Sequence, residues 1–397
     1  MSHPPASLTE NPPNVEASIR PQVNSFHVSG LSMLVAAAGI PLSLLWDFSW
    51  ESTVGIDLFW SPPHTMTYVS VALVGITGVW LILRTSLTSN GRAGGVRLAG
   101  LYAPVGAWIV VWGALAFVAA TLFDRWWQSA YGLGAGIWHP PQISKTVAFF
   151  ALLIGAWLLC VTRQNQSGAE NGSAALAFAI CGGFVMAMIS IVTLVSIYPN
   201  RQHSAWLYKV ACATYPSVFL ALTTAGRLRF SATAGSAAYM FLICVMVWFL
   251  PAFPATPQTG PIYNRLDHLM PPPFPLLLVI PALASDWLIR NCYWRENGFR
   301  PWMQAIVVGL AIAILLIGTQ WIFAEFLLTD MANNRFFAGG GQHWPFFLKI
   351  APQAKQIFWH TGKDEMDWFS AVMAVGMAIG AARVGLWIGT WMQQVRR

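Results

Sequence analysis

Charged residues are scarce in this chain, and their spacing limits what it can fold into. Only 9% of its 397 residues are Asp, Glu, Lys or Arg, and 56% are hydrophobic. An ordinary soluble domain carries about 25% charged residues. The charges here leave apolar runs near 29–47, 64–83, 98–123, 142–162, 174–197, 205–225, 233–252, 272–290, 303–328 and 368–392. A bilayer core about 30 Å thick takes about 20 apolar residues of helix. The runs therefore predict an all-α, polytopic transmembrane bundle of about ten helices, with eight and eleven as alternatives because the fourth, sixth and eighth runs are short. No segment has the ten-residue alternation of an outer-membrane barrel.

Basic residues in the connections set the expected orientation. One set of loops holds Arg84, Arg92 and Arg97, then Arg163, Arg227 and Arg229, Arg295 and Arg300, while the tails add Arg20, Arg396 and Arg397. Both termini are expected to be cytoplasmic, in the inner cell membrane. Residues 1–27 are polar and Pro-rich and read as a disordered tail rather than a cleaved signal. Residues 28–228 would hold helices 1–6, and 229–397 would hold helices 7–10 with a long outer loop at 329–367. Five scattered cysteines without a CxxC argue against a disulfide framework or zinc ribbon. The net charge of +7 comes from single arginines and small loop groups, so nucleic-acid binding is not expected.

Two outer connections share a pattern. "WDFSWESTVGIDLFWSPPH" carries Asp47, Trp50, Glu51, Gly55, Trp60, Pro62, Pro63 and His64. "FDRWWQSAYGLGAGIWHPPQ" carries Asp124, Trp127, Gln128, Gly132, Trp138, Pro140, Pro141 and Gln142, with His139 beside them. Each joins an outgoing to a returning helix, so helices 1–2 and 3–4 read as parallel-repeat hairpins. Residues four apart share a helix face, and Pro-Pro suits a first helical turn. Asp47, Glu51 and His64 are thus expected to converge from two helix ends.

Over roughly residues 30–165 the pattern resembles the C subunit of the copper-dependent membrane monooxygenases, the particulate methane and ammonia oxidisers. That family places D-x3-H-x12-H and N-x3-H-x13-H on membrane helices as ligands of copper. Asp47-x3-Glu51-x12-His64 and Asp124-x3-Gln128-x13-Gln142 reproduce both spacings, and Asp57 adds to the likeness. The resemblance implies a copper site on the outer, periplasmic side, oxygen activation with hydroxylation of a small substrate, and partner subunits in a membrane redox complex. Glu51 replaces the family's first His, and the second motif keeps no imidazole at its three positions. One His with two carboxylates suits iron, manganese or zinc as well as copper. Asp124, Gln128, His139 and Gln142 read as a second site decayed into polar support. The structural alternative is that the acids cap helix ends and the tryptophans form an interfacial belt.

Asp286 and Arg383 fall inside apolar runs at similar depth. An intramembrane charge marks a functional site unless it is paired, and a buried ion pair between these two is the plainer expectation. Glu325 and Asp330 could join His343 or His360 in an outer polar cluster, and the Pro-rich loop 251–275 reads as a rigid lid. Three functions fit these features. They are a metal-dependent membrane oxidoreductase, a transporter or ion-conducting protein, and a non-catalytic subunit of a redox complex.

Overall fold

The computed structural model describes residues 16–55, 58–88, 95–132, 138–167, 172–197, 202–263, 265–292, 294, 299–332, 334 and 364–396 (backbone alone for 16–31 and 194–197). Its helices are α1 (Glu16–Thr53), α2 (Pro62–Leu87), α3 (Val105–Tyr131), α4 (Pro140–Gln166), α5 (Gly172–Ile197), α6 (Ala205–Ala225), α7 (Ser231–Phe249), α8 (Val279–Asn291), α9 (Arg300–Leu327) and α10 (Trp368–Gln394). Among the described residues nine of these, all except α8, are long and apolar enough to cross a membrane. The chain is a multi-pass helical membrane protein.

Three elements depart from the sequence expectation. The helix of α1 starts at Glu16, within the stretch read as a disordered tail. Once the apolar part of α1 is helical, extending it needs no new nucleus. The third helix begins at Val105 rather than near 98, because β1 (Val96–Leu98) and β2 (Leu101–Ala103) form a small antiparallel hairpin first. Its two-residue turn, Ala99 and Gly100, has positive φ at both positions, as a tight hairpin of this hand requires. The eighth apolar run is only partly helical. Residues 269–278 form neither helix nor strand yet are largely buried, and α8 follows with 13 residues, about 20 Å of helix. Pro271, Pro272, Pro273 and Pro275 remove the N–H groups that a helix here would need.

Hydrogen bonds identify which helix termini share an end of the bundle. At one end Gln164 bonds the Ala225 carbonyl, Asn165 bonds those of Met392 and Val395, and Arg290 bonds those of Thr223 and Gly226. This arginine end gathers the last turns of α4, α6, α8 and α10 and the first turns of α7 and α9. The opposite, hairpin end gathers the α1–α2 and α3–α4 turns, the start of α6 and the last turn of α9. There Gln258 N–H donates to Val54 O at 3.0 Å, and Ala255 N–H to Asp267 O at 3.0 Å, so the Pro-rich connection folds back onto the end of α1.

Small residues let the helices approach closely, as packing in lipid favours. A Cβ on Gly106 of α3 would meet the Gly155 carbonyl of α4, and one on Gly385 of α10 would meet the Ser217 carbonyl of α6. Both obstacles are backbone, which cannot rotate away.

Candidate functional site

The first hairpin brings two of its three expected ligands together. Pro62 and Pro63 open α2, with Ser61 as N-cap, and this sets His64 against the last turns of α1. His64 Nε2 lies 3.4 Å from Asp47 Oδ1, and both side chains are 19% exposed. His64 Nδ1 lies 2.9 Å from the Leu58 carbonyl. A carbonyl only accepts, so Nδ1 carries the proton and Nε2 is the nitrogen turned toward Asp47, the way a backbone carbonyl orients a ligand histidine. The 3.4 Å separation suits a direct histidine–carboxylate contact, and it also equals the ligand-to-ligand edge of about 3.3–3.4 Å that tetrahedral metal bonds of about 2.0–2.1 Å produce. Tyr68 stacks on His64, with ring centroids 6.2 Å apart, and also lines an apolar groove of about 550 Å³ between α2 and α3.

Glu51 does not complete the set. It is exposed, and among the described residues no three His, Cys, Asp or Glu side chains come close enough to hold a metal. Catalytic metal sites use three protein ligands, so the described residues fall one short. Asp57, His343 and His360 lie outside the described residues.

The second hairpin holds its own cation. Asp124 is 8% exposed and accepts from Lys145 Nζ at 2.5 Å and from Gln128 Nε2 at 3.2 Å. Lys145 stands one turn beyond Gln142 on α4, where Thr67 stands beyond His64 on α2. His139 is the N-cap residue of α4 without a side-chain capping bond, and its ring lies 6.4 Å from that of Trp127. Gln142 is half-buried. An ammonium thus neutralises the carboxylate here. The lysine was readable as a charge one turn into the returning helix, but a search for metal ligands passes over it.

The polar centre of the bundle is the broken eighth span. Ser49 donates to the Met270 carbonyl, and Met270 N–H donates to Thr53 Oγ1 at 2.8 Å. Leu276 N–H donates to the Tyr239 hydroxyl at 2.9 Å, and Leu277 N–H to Gln320 Oε1 at 2.9 Å. Side chains of α1, α7 and α9 therefore satisfy backbone that no helix ladder serves, the condition for irregular chain at membrane depth. Gln320 Nε2 donates onward to Gln202 Oε1 at 2.7 Å, and Tyr208 donates to the Gln202 carbonyl at 3.0 Å. His203, fully buried, sets Nε2 3.4 Å from Glu325 Oε1, while the partners expected for Glu325, His343 and His360, lie outside the described residues. Asp364 accepts from Ser204 Oγ and Trp206 N–H, pinning the far end of the long loop to the first turn of α6. Asp367 caps α10, and the Ser370 N–H and hydroxyl hold its carboxyl below the usual carboxylate range.

Asp286 does not pair with Arg383. Its carboxylate is fully buried and accepts from Thr223 Oγ1 at 2.7 Å, Ala232 N at 3.3 Å, Thr233 N at 2.8 Å and Thr233 Oγ1 at 2.8 Å. Ala232 and Thr233 are in the first turn of α7, whose own cap residue, Phe230, has no acceptor. Asp286 is therefore an N-cap supplied by a neighbouring helix. Arg383 lies instead over the Trp302 ring, 5.4 Å from its centroid.

No protein-family model, curated protein or solved structure matches this chain.

Proposed function

We propose that the chain is a membrane transport or ion-conducting protein whose working element is the broken eighth span. The observation that carries this is the buried non-helical segment 269–278 running into the 13-residue α8. Transporters build midplane sites from discontinuous helices of this kind, because half-helix ends and unwound backbone present polar groups at depth. A buried polar seam runs beside it. Gln202, Gln320, Tyr239 and Ser190 lie toward the hairpin end, and Ser285, Asp286 and Thr223 toward the arginine end. Cysteine placed at Leu277 or Phe274 in a chain stripped of native cysteines tests it. The expected result is labelling by a water-soluble maleimide in proteoliposomes. Complete protection from both sides under all conditions would sink the reading.

A second reading keeps a metal ion at the first hairpin, as the resemblance to the copper monooxygenase C subunit implies, with copper first and iron or zinc as alternatives. The Asp47–His64 contact favours it. Because the described ligands stop at two, no reaction step is drawn through a metal. Elemental analysis of the purified chain beside His64→Ala decides: stoichiometric metal lost in the variant supports the site, and none in the wild type removes it. Partner subunits of a redox complex belong to this reading alone.

A further inference from the structure

At the arginine end, α6, α8, α9 and α10 surround a cavity of about 670 Å³. Three arginines line it: Arg290 from the last turn of α8, Arg300 from the start of α9, and Arg383 from within α10. Thr224, Gln304 and Gln393 add neutral polar groups, and among the described residues the lining includes no aspartate or glutamate. The geometry points to a binding site for a phosphate-class oxyanion, either a free phosphate group or the headgroup of an anionic phospholipid.

Among the described residues, Arg383 Nε and Thr224 Oγ1 in the lining are buried without a hydrogen-bond partner. Buried donors are normally satisfied, so each such exception asks for an explanation. An oxygen-rich anion in the cavity would accept from both. Arg290 is held ready, because its Nη2 donates to the Thr223 and Gly226 carbonyls at 3.0 Å each. Five N–H groups in a planar fork leave further donors on the same guanidinium. Arg383 is positioned by the Trp302 ring. The cavity also meets the first turn of α9, where Arg300 and Pro301 follow a cap residue that makes no side-chain bond. The dipole of that turn adds positive potential. Arginine matches phosphate better than lysine does, through paired N–H contacts. Exposed Trp302 and Trp387 beside the cavity give it an interfacial setting, and basic pockets between membrane helices take lipid phosphates by the same chemistry. The site does not depend on the transport reading, since binding is measured without flux.

The test uses the full chain, purified in detergent free of phosphate. In one arm, inorganic phosphate is titrated against chloride at matched ionic strength, following the thermal midpoint by tryptophan fluorescence. In the other, native mass spectrometry records retention of phosphatidylglycerol against phosphatidylcholine. Stabilisation by phosphate identifies a free oxyanion, and selective retention of phosphatidylglycerol identifies a headgroup. Either supports the site, provided that Arg383→Gln weakens the interaction about tenfold to a hundredfold, as loss of one charged hydrogen bond implies. Arg383→Lys should fall between the two. If Arg383→Gln does not fold, Thr224→Val carries the same comparison with a smaller loss. No preference for phosphate or for phosphatidylglycerol in the wild type overturns the inference, as does binding undiminished in both Arg383→Gln and Thr224→Val.

Discussion

Asp286 offers the sharpest test of the packing described above, because two accounts of one buried carboxylate predict different mutational couplings. As the interhelical cap of α7, it serves four donors from Thr223, Ala232 and Thr233. Asp286→Ala removes the acceptor from two backbone N–H groups that have nowhere else to turn. An orphaned buried donor costs about 1–3 kcal/mol, and the threonine hydroxyls can rotate to other acceptors. The expected loss is about 3–5 kcal/mol. Asp286→Asn keeps one acceptor oxygen and turns a donor toward the other pair, so it should lose about half as much. Reversible unfolding in mixed micelles with increasing SDS, in phosphate-free buffer, would rank the variants as wild type, Asn, Ala. The control is Arg383→Ala alone and combined with Asp286→Ala. If the two residues act separately, as the structure has them, their effects add within about 0.3–0.5 kcal/mol. Coupling well above about 1 kcal/mol would show that they form the ion pair after all. An Asp286→Ala protein as stable as the wild type would refute the cap.

Three further outcomes follow from individual contacts. Lys145→Met should leave Asp124 as an uncompensated charge with a side chain only 12% exposed, costing about 2–4 kcal/mol after discounting for partial solvation; Asp124→Asn in the same background should recover part of the SDS stability. Gly385→Ala should force α10 away from the Ser217 carbonyl of α6 and cost about 1–3 kcal/mol, read as a lower thermal midpoint. Asp367 has its carboxyl held low by Ser370, so the stability from capping α10 is complete above the ordinary aspartate range. It is lost as pH falls through the depressed value. In acid titrations of stability Asp367→Asn should flatten that part of the profile, and an unchanged acid limb would rule the cap out.

The helices were readable because charge scarcity and span length decide them, and each apolar run contains one. The eighth run departs from the pattern because apolarity there does not bring helicity. Pro271 to Pro275 make a segment that is apolar enough for the membrane and incapable of a helix, and only side chains from α1, α7 and α9 make it tolerable there. In the first hairpin, Pro62 and Pro63 fix where α2 begins, so the meeting of Asp47 and His64 followed from local rules. Glu51 shares the face of Asp47 in sequence yet sits far enough along α1 to be exposed. The depth of Asp286 was evident, but its partners were not. Phenylalanine cannot cap a helix, but nothing local indicates that Phe230 occupies the cap position of α7 or that α8 brings the acceptor.

The non-helical segment 269–278 also bears on how the chain is made. A 13-residue helix of about 20 Å cannot cross a core of about 30 Å by itself. As the chain emerges, Leu277 needs Gln320, which is synthesised 43 residues later. Residues 270–291 therefore cannot partition into lipid when first presented, and must wait in a wetter place until α9 arrives. A chain cut before α9 would carry a segment without a stable address on either side of the bilayer. Quality control in the membrane would meet the protein first at this point.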